Sequence, residues 1–111
     1  MNIKELQRQA NEYSRKKGFW ELSDETRSFV PLKLALIHSE ISEALEEYRK
    51  GFDLNTTYLT GDKPEGFGVE LADAVIRIAD LAEQLGIDLE PLIAQKMEYN
   101  RTRPHKHGKT A

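Results

Sequence analysis

Residues 68–85 read GVELADAVIRIADLAEQL, and this stretch decides the fold. Leu71, Ala72, Ala74, Val75, Ile76, Ile78, Ala79, Leu81, Ala82 and Leu85 recur at helical spacing and cover far more than half of the helix circumference. A surface helix needs an apolar stripe only about 100° wide. Such a helix must be packed on several sides, and its narrow polar stripe of Glu70, Asp73, Arg77, Asp80 and Gln84 then lines something internal. A chain of 111 residues has few elements with which to cover it, so a homo-oligomer is expected, a dimer or a dimer of dimers.

Helical periodicity extends outward in both directions. Ile3, Leu6, Ala10 and Tyr13 mark a first helix over about 2–17, closed by Gly18. Pro31 suits the first turn of a second helix, which runs to about Lys50 and stops at Gly51. Residues 52–68 carry Asn55, Gly61, Pro64, Gly66 and Gly68 and read as the longest loop, of a length that tends to serve function. Asp88 caps a fourth helix with Pro91 in its first turn, ending near Thr102 before Pro104, with Leu89, Ile93 and Met97 as its core face. The β-branched alternation of strands is missing, so the expected class is all-α, a four- to five-helix bundle forming one domain over 1–111, with 105–111 a basic tail.

Composition excludes several classes. The chain has no Cys, which removes thiol catalysis and thiolate zinc sites and fits a reducing, cytoplasmic setting. No apolar run approaches the roughly 20 residues that cross a bilayer, and the N-terminus lacks the apolar region of a secretory signal. Lys and Arg number 16 against 19 Asp and Glu, a net charge of −3, too little positive charge for a general nucleic-acid binder. That average conceals opposed parts, since residues 40–80 hold ten acids against four bases whereas 96–111 hold five bases against one acid.

The acids carry the chemistry. Glu40 and Glu43 on the second helix, and Glu70 and Asp73 on the third, are pairs at i, i+3, about 60° apart around the helix and one turn apart along it. Cations at i±3 or i±4 normally support surface carboxylates. Among these four residues, only Asp73 has one, Arg77. Leu36 shares the sector of Glu40, Glu43 and Glu47, which a fully solvated face gives little reason for. Four converging carboxylates repel and call for a cation, and oxygen ligands at this spacing suit a hard divalent ion, Mg²⁺ first and Mn²⁺ as the alternative. His38 lies off the stripe and reads as a packed residue rather than a ligand.

Lys96, Asn100 and Arg103 fall at i, i+4, i+7 on one face of the fourth helix, the composition of a phosphate clamp. Behind them come His105, Lys106, His107 and Lys109. A divalent metal on one side and cations on the other is what a polyphosphate requires.

Glu40xxGlu43, Glu70xxAsp73 and Lys96, Asn100 and Arg103 leading into His107-Gly108-Lys109 together resemble the MazG-like all-α nucleoside triphosphate pyrophosphohydrolases, over nearly the whole chain. The resemblance implies a Mg²⁺-dependent enzyme that cleaves a nucleoside or deoxynucleoside triphosphate to the monophosphate and pyrophosphate. Glu40, Glu43, Glu70 and Asp73 would be the metal ligands, and Lys96 and Asn100 would face the phosphates. Many members carry a second Glu before the first motif Glu, and here that position is Ser39. Either another group then orients the attacking water, Glu47 on the same stripe as Glu43 being the best candidate, or metal-bound hydroxide acts alone; Trp20 is a candidate to stack on the base and equally a candidate core or interface anchor. Two readings of other classes compete: a non-catalytic helical dimerisation module with an acidic docking face, and a nucleic-acid binder using the basic tail.

Overall fold

A computed structural model describes residues 1–21 and 29–104. Four helices dominate: α1 (Ile3–Lys16), α2 (Val30–Arg49), α3 (Phe67–Gln84) and α4 (Leu89–Arg101). Their bounds lie close to those expected, because the local signals act as read. The Asn2 side chain accepts from the Glu5 amide at 2.8 Å and starts α1, Pro31 sits in the first turn of α2, and Asp88 accepts from the Glu90 amide to start α4. Gly18, Gly51 and Gly86 follow the first three helix ends with positive φ.

The all-α expectation needs one amendment. Within the long loop, β1 (Tyr58–Thr60) and β2 (Lys63–Glu65) pair antiparallel, with Tyr58 opposite Glu65 and Thr60 opposite Lys63. Strands of three residues are too short to declare an alternation, and Lys63-Pro64 is an unfavourable strand sequence.

Helix α3 is the hub, packed against α2 on one side and α1 on the other, while α4 rests mainly on α1. The buried apolar residues are mostly small: Ala10, Ala44, Ala74, Ala79 and Ala82, joined by Trp20 and Leu81. Alanines let helix backbones approach closely, and so bring the polar groups carried beside them together. Gln7, a fully buried polar side chain, ties α1 to the α3–α4 junction: its amide nitrogen donates to the Ile87 carbonyl at 2.7 Å and its oxygen accepts from the Leu89 amide at 3.1 Å.

Several residues expected in the core lie open. Leu71, Val75, Ile76 and Ile78 of α3 are exposed, as are Ile93 and Met97 of α4, which buries no residue at all. Tyr13 and His38 are exposed too. The radius of gyration, 16.6 Å, exceeds the roughly 13 Å of a compact domain this long. Periodicity marks apolar stripes, but the described residues do not supply the surfaces that would cover them. Among the described residues no helix is long and apolar enough to cross a membrane.

Gly66 joins the hairpin to α3. Its φ is 139°, and a Cβ there would stand 2.5 Å from the Thr56 carbonyl oxygen, so both the backbone conformation and the space demand glycine. Gly66→Ala should cost about 2 kcal/mol of stability, read from urea unfolding. A loss within error of zero would mean that the hairpin junction is not held as described.

Candidate functional site

Ala44 of α2 and Ala74 of α3 are both almost fully buried where the two helices meet. Beside them Glu40, Glu70 and Asp73 each present an oxygen within 4.8 Å of the others. Glu40 is also held by Arg77, whose Nε donates to its Oε1 at 2.9 Å. The i, i+3 and i, i+7 spacings on α3 thus bring Glu70, Asp73 and Arg77 to one face of α2.

The electrostatics are those of crowded anions. Glu70 is 7% exposed, and burial first, then the hydrogen bond and charge of Glu40 with the charges of Asp73 and Glu43, push its carboxyl up to about 7. Burial and Glu40 likewise raise Asp73, against the opposing pull of Arg77 and Lys63. Glu43 is exposed and stands outside the tight group of three, near enough for its charge to act on Glu70. Three carboxylates with a single bound guanidinium retain an excess of negative charge, which a hard divalent cation would neutralise; the donor set fits one.

A cleft of about 230 Å³ opens beside the carboxylates. Glu40, Asp73 and Arg77 line it, together with Tyr13, Phe19, Lys33 and Asp80. Tyr13 and Phe19 are each about 60% exposed, so aromatic and anionic surface share one hollow. Sequence reasoning missed these two rings: Tyr13 falls on the apolar stripe of α1, and Phe19 is overshadowed by its neighbour Trp20.

Trp20 itself is buried. Its Nε1 donates to Asp80 Oδ1 at 3.1 Å, and Lys33 Nζ lies 4.5 Å from its ring. Asn11 also donates to Asp80 Oδ1, at 2.9 Å, so Trp20 and Asn11 fix a carboxylate on the cleft wall, and the indole is not among the lining residues.

Glu47 is engaged elsewhere. The Tyr58 hydroxyl donates to both of its oxygens, at 2.8 and 2.9 Å, and Lys50 Nζ lies 3.0 Å from Oε1. Burial works to raise this carboxyl, but the hydrogen bonds from Lys50 and Tyr58 prevail and hold it below the ordinary range. Glu47 therefore ties the hairpin to α2, and it is not one of the three convergent carboxylates. The Ser39 hydroxyl turns back to the Leu36 carbonyl at 2.5 Å.

The basic face of α4 is not brought to the carboxylates. Lys96 and Asn100 are exposed; Lys96 lies 4.8 Å from the Tyr99 ring and helps line a separate shallow hollow with Leu92, Gln95 and Tyr99. Arg103 stands 5.5 Å from the same ring. His105, Lys106, His107 and Lys109 lie outside the described residues. No family model, curated protein or solved structure matches the chain, so its site stands on this geometry alone.

Proposed function

We propose that the chain is a MazG-like nucleoside triphosphate pyrophosphohydrolase, cleaving a nucleoside or deoxynucleoside triphosphate to the monophosphate and pyrophosphate. The observation that carries this reading is the convergence of Glu40, Glu70 and Asp73 within 4.8 Å beside a cleft that also holds exposed aromatic rings. Anionic oxygens for a metal and flat rings for a base, in one hollow, are the two halves of a nucleotide site.

In this reading Glu40, Glu70 and Asp73, with Glu43 beside them, hold Mg²⁺ or Mn²⁺. The ion supplies charge neutralisation at the phosphoryl group under attack. Arg77 orients Glu40, and the Trp20–Asp80–Asn11 group sets the cleft wall. Tyr13 and Phe19 take the stacking role first assigned to Trp20, since theirs are the rings exposed in the cleft. The role of orienting water passes from Glu47, which is committed to Tyr58 and Lys50, to the more exposed Glu43.

Self-association belongs to the same proposal. The open apolar faces of α3 and α4 ask for a second copy, and a second copy is also the means of bringing Lys96, Asn100 and Arg103 to a substrate. A cytoplasmic setting accords with the cysteine-free sequence.

The test is a panel of nucleoside and deoxynucleoside triphosphates assayed with Mg²⁺, with Mn²⁺ and with chelator. Equimolar monophosphate and pyrophosphate, released only with metal, is the expected result. No release from any member would overturn the enzyme reading and leave the acidic docking module as the better account.

A further inference from the structure

The hairpin begins as Tyr58-Leu59-Thr60, turns at Gly61-Asp62 and returns as Lys63-Pro64-Glu65. Alternate residues of a strand point to opposite faces, and paired residues share a face. The register therefore puts Tyr58, Thr60, Lys63 and Glu65 on one side, with Leu59 and Pro64 on the other. Tyr58 shows which side faces the helices, because its hydroxyl bonds Glu47 of α2, while Leu59 is left 68% exposed. Lys63 thus belongs to the inward face, just after the turn.

The root of the hairpin is fixed. Tyr58 is clamped by Glu47 and Lys50 and packed edge-on against Phe52, with ring centroids 5.9 Å apart, and Gly66 abuts the Thr56 carbonyl. Strand β2 runs through Gly66 directly into α3, whose first turn carries Glu70, and the charge of Lys63 acts on Asp73. A short, anchored arm therefore carries a cation near enough for its charge to be felt at Asp73.

The other cations around the site are more fully engaged. Arg77 donates to Glu40 at 2.9 Å, Lys50 is locked between Glu47 and Tyr58, and Lys33 donates to the Phe19 carbonyl at 3.2 Å and sits on the Trp20 ring. Lys63 has only a loose pairing, 3.8 Å to Glu65, and its side chain is 73% exposed. An exposed pair of that kind contributes little to stability, so fold alone gives this lysine little to do.

We propose that Lys63 is a phosphate-binding residue of the site, meeting the anionic chain of a metal-bound polyphosphate from the hairpin. This rests on the nucleotide reading above and adds to it a specific cation from the long loop. A flexible ammonium on a short arm suits a polyphosphate, whose oxygens it can follow as a point charge.

The experiment uses the whole chain and two probes, Mn²⁺ alone and inorganic tripolyphosphate added to the Mn²⁺-loaded protein, both followed by calorimetry. Lys63→Met and Lys63→Gln are each expected to weaken tripolyphosphate binding about tenfold or more, the scale of a lost hydrogen bond to a charged group. Mn²⁺ affinity should stay within about twofold and Lys63→Arg should bind within about threefold of wild type, because the charge is kept. Lys4→Met, which makes the same change in net charge on α1, should leave tripolyphosphate binding unaltered. If wild type binds tripolyphosphate and Lys63→Met and Lys63→Gln bind it equally well, this assignment falls while the nucleotide reading stands. If Mn²⁺-loaded wild type takes up no tripolyphosphate, both fall together.

Discussion

Replacing Asp73 with Asn is expected to lower metal-dependent pyrophosphate release by about 10²- to 10³-fold, the scale on which a lost electrostatic contact to a reacting centre is felt. The same change should raise the thermal midpoint of the metal-free protein at pH 8. Both effects have one cause. Asp73 is half-buried near Glu40, which together with its burial already pushes its carboxyl up. Asn keeps the volume and removes the charge, so the crowded anions relax while the site loses its grip on a cation. Opposite signs for activity and stability separate a functional carboxylate from a structural one, which would lose both. Steady-state assays of pyrophosphate and calorimetric melts in chelator supply the two numbers. Activity within about threefold of wild type would remove Asp73 from the proposed ligand set, since even groups outside the first ring of ligands typically cost 10- to 100-fold.

The carboxylates were legible in the sequence because a helix converts spacing directly into position. Glu70, Asp73 and Arg77 share one face of α3, and their meeting with Glu40 follows from the small residues that let α2 and α3 close. Glu47 shows where that inference ends. It lies in the same sector as Glu40, but seven residues displace it about 10 Å along the helix axis. That distance carries it past α3 to the hairpin, where Tyr58 claims it. Angular position is written in the sequence, whereas the neighbour met at each height is a property of the assembled fold. The hairpin itself was hidden for a local reason, since three-residue strands and Pro64 give no periodicity to read. The apolar stripes of α3 and α4 were read as packed faces, yet Val75, Ile76, Ile93 and Met97 lie exposed, because periodicity marks an apolar stripe without saying what, if anything, covers it. Trp20 was singled out for its chemistry, and the structure uses that chemistry inward, to hold Asp80.

Proton and metal should compete for Glu70, and the competition should be visible in stability. Its folded carboxyl titrates near 7 against an ordinary value of 4.5. Between those values the folded chain retains a proton that the unfolded chain releases, so metal-free stability is greatest below about pH 4.5 as far as this group is concerned, falls through the window, and has lost the contribution above pH 7. A divalent cation binds the ionised form and reverses the trend. Mn²⁺ at a hundred times its dissociation constant adds about 2.7 kcal/mol. For a domain of this size that amounts to about 10 °C in the thermal midpoint at pH 8. At pH 5.5 the same Mn²⁺ should give a smaller increment, because the proton must first be displaced. Glu70→Gln should flatten the metal-free profile between pH 5 and 8 and abolish most of the Mn²⁺ increment. Thermal melts across that range, with Mn²⁺ and with chelator, decide the matter: an increment equal at both pH values would mean that the ion binds away from Glu70.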